Sequence, residues 1–218
     1  MAQKASGCSR ARYSEAMWTM DLHGVDANST VRIDPERRLS PEEFFAFCQA
    51  NEGWRIEQTA DGEIEIMPPA GIDSGDENAE IIAQLRVWAK RDGRGAGFDS
   101  NTGFVLPNGA TRSPDAAWVS REARERLSPE ERKVFPRLCP EFVIELVSPS
   151  DSLPRLKRKM REWIENGAQL AWLIDPRSRT AWIYRPNTDA QTLENPDRLC
   201  GEGPVEGFVL DLHEVWDH

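Results

Sequence analysis

Cysteine is sparse in this chain and histidine sparser. Cys8, Cys48, Cys139 and Cys200 include no close pair, and two of the three histidines, His213 and His218, sit at the C-terminal end. This excludes a disulfide framework and a thiolate or imidazole zinc site. Any metal would be a hard cation on oxygen ligands, Mg²⁺ or Mn²⁺. Long apolar runs are missing as well: nothing approaches the ~20 residues of a membrane helix. Lys4, Arg10 and Arg12 are not followed by an apolar segment, so no secretory signal is expected. Neither GxxxxGK[ST] nor GxGxxG occurs, which removes the common nucleotide cradles. The expectation is a cytoplasmic protein with no membrane partner.

What is present is an ordinary globular composition, 218 residues with 39% hydrophobic and 29% charged. That length supports one sizeable core. The net charge of -10 and the pI near 4.9 argue globally against a nucleic-acid partner. The distribution says otherwise. From Trp54 to Glu80 eight acids stand against Arg55 alone, while Leu153 to Gly167 carries Arg155, Lys157, Arg158, Lys159 and Arg161 against Glu162 and Glu165. A charge run of this kind is ordinarily a solvated helix face.

Residues 1–36 lack periodicity and read as a flexible N-terminal extension, leaving 37–218 as a single domain. "LSPEEFFAFCQAN" is a helix with Ser40 at the N-cap, Pro41 at the first position and Glu43 completing a capping box. "WRIEQTADGEIEIMPP" is a hairpin turning on Asp61-Gly62. "DENAEIIAQLRVWAKRDG" is a helix with Ile81, Leu85, Trp88 and Ala89 on its apolar arc, ended by Gly93. "GFDSNTGFVLP" and "ATRSPDAAWVS" form a second hairpin around Asn108-Gly109, and "REARERLSPEERKVF" is a polar helix. "EFVIELVS" is short and continuously apolar, as in a strand buried on both faces. "LPRLKRKMREWIENG" is the clearest helix; "QLAWLIDP" and "RTAWIYRP" are strands, and "GFVLDLHEVW" is a last strand or short helix. Trp163, Trp172 and Trp182 fall at core positions. The fold class is α/β, a mixed sheet flanked by helices.

Two acidic residues break the apolar pattern: Asp115 in "RSPDAAWVS" and Glu145 in "EFVIELVSPSD". Burying a carboxylate is costly unless it is paired or binds a cation. If the two strands are neighbours, both acids can point at one cavity and hold a divalent ion that activates water and stabilises charge on a phosphate. Ser-Pro-Asp is also common turn chemistry, so Asp115 has a structural reading beside the functional one. Ser148 and Ser150 have no histidine near them in sequence to serve as a base. A glycosidase would use two carboxylates without a lysine.

The segments "RSPDAAWVS", "CPEFVIELVSPSDSL", "KMREWIENGAQLAWLIDP" and "TAWIYRP", with "ADGEIEIMPPAG", "NAEIIAQL" and "GFDSNTGFVLPNGA", closely resemble the Uma2-type proteins. These are restriction-endonuclease-like nucleases of the PD-(D/E)XK superfamily, and the likeness spans roughly Leu39 to Trp216. It implies a PD-(D/E)XK core, Asp115 and Glu145 as ligands of Mg²⁺ (or Mn²⁺), and a lysine beside them. The superfamily lysine usually stands two residues after the glutamate, where this chain has Val147. The Uma2-like pattern offers one from the next helix instead, the "KM" of Lys159-Met160.

Helical phase leaves Lys159 and Lys157 both open: Lys159 lies about 40° beyond Trp163 on one edge of the buried face, Lys157 about 20° beyond Ile164 on the other. The family pattern selects Lys159. Glu80 is a further candidate, since superfamily members often aim an acid from an early helix at the metal. It falls about 80° off the apolar arc, as a solvent-facing glutamate would. The expected activity is metal-dependent hydrolysis of DNA phosphodiesters, with DNA as partner and the question of a homodimer open. The rival is a catalytically degenerate DNA-binding or regulatory module of the same fold.

Overall fold

Residues 30–216 are described by a computed structural model, and their secondary structure follows many of the local signals named above, while the expected polar helix after Ser120 is reduced to Arg121–Glu125 and a 3-10 turn. Part of the 1–36 segment expected as a lead-in is a strand: β1 (Val31–Ile33) pairs antiparallel with β3, Ile33 opposite Ile64. Its half-buried Val31 and Ile33 extend an apolar face that three residues alone could not announce by periodicity. The remainder of the expected extension, residues 1–29, lies outside the described residues.

Helix α1 (Pro41–Ala50) starts as its capping box dictates, the Ser40 hydroxyl accepting from the Glu43 amide and the Glu43 carboxylate from the Ser40 amide. Strands β2 (Arg55–Gln58) and β3 (Ile64–Met67) form the Asp61-Gly62 hairpin, with Gly62 at φ 97°. Helix α2 (Ile72–Asp92) begins four residues before the expected Asp76 and ends at Gly93, which takes the left-handed conformation at φ 76°.

The hairpin expected around Asn108-Gly109 is divided between two sheets. Its strands are β4 (Gly95–Asp99), β5 (Phe104–Val105), β6 (Thr111–Arg112) and β7 (Ala116–Ser120). The inner pair, β5 and β6, joins the first sheet, ordered β1-β3-β2-β6-β5. The outer pair, β4 and β7, enters a second sheet, ordered β11-β10-β9-β8-β7-β4. The chain passes from one sheet to the other through Ser113-Pro114, immediately before Asp115. Proline lacks the N–H that a continuous ladder would need there.

The polar segment after β7 contains α3 (Arg121–Glu125) and a 3-10 turn at Glu131–Lys133. Next come β8 (Phe142–Leu146), α4 (Leu153–Glu165), β9 (Leu170–Asp175) and β10 (Thr180–Tyr184). Strands β8 and β9 are parallel and joined by the α4 crossover, while β7 pairs antiparallel with β8. The end of the chain adds β11 (Gln191–Glu194), β12 (Arg198–Cys200), β13 (Val209–Asp211) and α5 (His213–Trp216).

Strand alternation assigns the two faces of the second sheet. Phe142, Ile144, Leu146, Ala116 and Trp118 pack with Ile81 and Leu85 of α2 and with Phe208, Leu210 and Val215. Val143, Val147, Ala117 and Val119 pack with Met160 and Trp163 of α4. Asp115 and Glu145 share the parity of this second set, so both acids belong to the α4 face. No helix among the described residues is long and apolar enough to cross a membrane.

Candidate active site

The antiparallel register of β7 and β8 pairs Ala116 with Ile144 and Ala117 with Val143. One further step in that register sets Asp115 opposite Glu145. Asp115 Oδ2 accepts the Leu146 amide at 2.7 Å, locking the end of β7 onto β8. Its Oδ1 accepts from Arg55 Nη1 at 2.6 Å. Glu145, 2% exposed, accepts the Trp163 indole N–H at 2.9 Å on Oε1, and the same oxygen is ion-paired with the Lys159 ammonium at 2.8 Å. One helix therefore supplies both the indole and the ammonium to the buried carboxylate, from positions one turn apart.

The two candidate lysines have different surroundings. Lys159 Nζ lies 2.8 Å from Glu145 and 2.8 Å from Glu57. Lys157 instead sits over the Trp182 ring, 4.1 Å from its centroid, on the other flank of α4. The helix edge that carries Lys159 faces the acids. Glu80 is not brought to this group: it accepts from Gln84, which also bonds both the N–H and the carbonyl of Asp211.

Residues that local pattern did not single out complete the cluster. Glu57 of β2 is 2% exposed and accepts from Lys159, from Arg112 Nη1 at 3.1 Å and from the Ser113 amide at 3.1 Å. Arg112 also reaches Glu65 at 2.7 Å and Glu162 at 2.8 Å. Arg155 pairs with Glu63 at 2.8 Å and with Glu65. A signal for this existed in the hairpin register, which sets Glu57 directly opposite Glu65. Like charges facing one another across a ladder destabilise it unless a cation intervenes, and Arg112 is that cation.

Burial alone would push Glu57 up, yet Lys159, Arg112 and Arg55 together hold it below the usual carboxylate range. Burial pushes Glu145 above that range; Lys159 opposes the shift, Asp115 adds to it, and Arg55 counters in turn. Burial works to lower Lys159, but the Glu145 and Glu57 carboxylates keep it raised and charged. Adjacent acids whose environments drive them in opposite directions mark a site where charge is managed rather than merely buried.

Glu57, Arg112 and Lys159 line a cleft of about 910 Å³ between the β2–β3 hairpin and α4, together with Arg32, Arg155 and Arg158. Asp115 and Glu145 stand directly behind Lys159 and Glu57. The donors gathered here are carboxylate oxygens, with no thiolate or imidazole, and that set suits a hard divalent cation. They are not splayed as a ready-made cage: no group of three metal-type ligands is preformed among the described residues. Instead the Arg55 guanidinium stands among them, 2.6 Å from Asp115 and 3.9 Å from both Glu145 and Glu57. The donor chemistry therefore suits a divalent ion, while the position between the two acids is taken by the Arg55 guanidinium.

Comparison with known proteins matches residues 41–213 to the Uma2 family, described as "Putative restriction endonuclease". The fold is similar to that of a crystal structure from Anabaena variabilis described as "a putative nuclease belonging to DUF820". The TM-score is 0.63 at 19% identity, over 74% of this chain and 89% of that one. No curated protein matches. The architecture is the restriction-endonuclease-like α/β core, a mixed sheet flanked by helices.

Proposed function

We propose that this chain, which belongs to the Uma2 family, is a divalent-metal-dependent endonuclease that hydrolyses phosphodiester bonds in DNA. The observation that carries this reading is the convergence of Asp115, Glu145 and Lys159, from two strands and a crossover helix, behind the wall of one cleft lined by charged side chains of both signs. Asp115 and Glu145 would hold Mg²⁺ or Mn²⁺. Such an ion supplies an activated water and positive charge for the phosphate.

The chain's own residues do the rest. Glu145 is held in place by the Trp163 indole, so its free oxygen points away from α4 and toward Asp115 and Arg55. Lys159 carries a charged, buried ammonium to the cleft side of the pair, where it can steady the attacking water or the charge growing on a phosphate oxygen. On the cleft wall Arg32 and Arg155 are paired with Glu63 and Glu65, and Arg158 adds a further guanidinium that a flanking backbone phosphate would meet. An acidic chain gains little from long-range attraction to DNA.

The test is nicking of supercoiled plasmid with Mn²⁺, comparing the wild type with Glu145→Ala. Wild-type nicking that disappears in the variant is the expected result. Wild type and variant nicking alike would refute the assignment. A wild type that binds Mn²⁺ and DNA but leaves the plasmid intact would instead favour a non-catalytic module of the same fold.

A further inference from the structure

Three carboxylates and three cations meet in the cluster, and the cations are not equivalent. The side chains of Lys159 and Arg112 are 11% and 9% exposed, and each bridges two or more carboxylates at close range. Arg55 is 29% exposed, well above both of them. Its guanidinium donates to Asp115 and to the Ser113 carbonyl, and reaches Glu57 and Glu145 only at 3.9 Å. Its Nε is buried without a hydrogen-bond partner, a cost that a purely structural arginine would be expected to avoid. Among the described residues, Arg55 is also the single ion-pair partner of Asp115.

We propose that Arg55 is a displaceable counter-ion: its guanidinium occupies the position a divalent cation takes between Asp115 and Glu145, and it must withdraw toward solvent for the ion to bind. The inference rests on the metal-site reading of the same two acids. The chemistry is an exchange of one charge for two at the focus of the carboxylates. While Arg55 is in place, the acids are neutralised and the site is held against adventitious cations. When it leaves, Asp115 loses its ion-pair partner and Glu145 loses one of two cations, so an incoming ion meets an uncompensated Asp115 and a Glu145 neutralised by Lys159 alone. Lys159 and Arg112 stay where they are, because each bridges acids from different elements. Arg55 is a positioning residue in this scheme. It sets the affinity of the site and touches no reacting atom.

The experiment is a Mn²⁺ titration of the full chain by calorimetry and by thermal shift, in wild type, Arg55→Met and Arg55→Gln. Removing a competing unit charge at this distance should lower the half-saturating Mn²⁺ concentration by about tenfold or more in both variants. In the wild type, labelled with ¹⁵N-arginine, the Arg55 Nε–H signal, assigned by its loss in Arg55→Gln, should move on Mg²⁺ addition with the midpoint of a thermal shift measured with the same ion. This second measurement reads the wild type itself and uses Arg55→Gln for assignment alone. Wild-type binding with unchanged or weaker affinity in the variants, or a motionless Nε–H signal, overturns the counter-ion while leaving the metal site standing. No Mn²⁺ response in any of the three proteins overturns the metal site, and the counter-ion with it.

Discussion

Lys159→Ala is the substitution on which the site can be judged most sharply, with Lys157→Ala as its partner. The Lys159 ammonium is 11% exposed and bridges Glu57 and Glu145 at 2.8 Å each. Removing one member of a buried ion pair ordinarily costs about 3–5 kcal/mol. Two features soften that here. Glu145 keeps the Trp163 N–H, and its raised pKa lets it take a proton; Glu57 keeps Arg112 and the Ser113 amide. The expected loss is therefore about 2–4 kcal/mol at pH 7.5, or roughly 5–15 °C in Tm for a chain of this size. Lys157→Ala gives up a cation–π contact with Trp182 and should cost about 0.5–1 kcal/mol.

Urea unfolding in EDTA, followed by tryptophan fluorescence, measures both variants. Dependence on pH adds a signed check. The raised pKa of Lys159 means its stabilisation is complete below its ordinary value of 10.5 and is lost only as pH rises through the folded value. Titration of Lys159 itself thus adds no pH dependence between pH 5 and pH 8, and the wild-type contribution declines there only as Glu145, raised to about 7, takes up its proton. In Lys159→Ala, Glu57 and Glu145 lose a cation, so their folded pKa values rise and the folded state takes up protons first. The deficit should shrink as pH falls over that window. In the Mn²⁺ nicking assay the same variant should lose about 100-fold in rate, as for other removed electrostatic contacts to a transition state. A Lys159→Ala protein as stable as Lys157→Ala, with a deficit independent of pH, would refute the bridging role. Normal cutting by Lys159→Ala beside a dead Lys157→Ala would refute the catalytic one.

Mn²⁺ should raise the wild-type Tm, because it binds only the folded state, and Asp115→Asn or Glu145→Gln should abolish the rise; an unchanged response in both would dissolve the shared site. A chain beginning at Leu39 should be less stable than one beginning at Thr30 by roughly 2–3 kcal/mol. It loses the β1 pairing, the apolar contacts of Val31 and Ile33, and the Arg38 hydrogen bonds to the Ala60 and Gly109 carbonyls. Gly95→Ala should destabilise by about 1–3 kcal/mol in a thermal melt, because its Cβ would stand 2.4 Å from the Trp118 ring and 2.5 Å from the Val119 carbonyl. In a Cys8→Ser background only exposed Cys200 should react quickly with Ellman's reagent at pH 8, since burial pushes the Cys48 and Cys139 thiols up to about 12.

Much of the site was written locally. A glutamate between Ile144 and Leu146 cannot be a surface residue of a doubly buried strand, so Glu145 announces itself by the cost of its burial. The period of α4 places Met160 and Trp163 in the core and leaves Lys159 at its edge, and the capping box of α1 names its first turn. These features depend on periods of two or 3.6 and on neighbours within four residues, which a chain carries in one dimension. Between Lys159 and Lys157 the period is symmetric, and only packing against Glu57 on one flank and Trp182 on the other separates them. The second sheet's claim on β4 and β7, which splits the hairpin at Ser113-Pro114, was equally invisible, because both sheets accept the same alternating pattern. Arg55, Glu57 and Arg112 have the sequence of a solvated strand face. They became a buried charge cluster because the first sheet brings that face against α4 and the β7–β8 edge, from up to about a hundred residues away. Pairings over that separation are decided by which surfaces the whole chain leaves uncovered, and no local period records them.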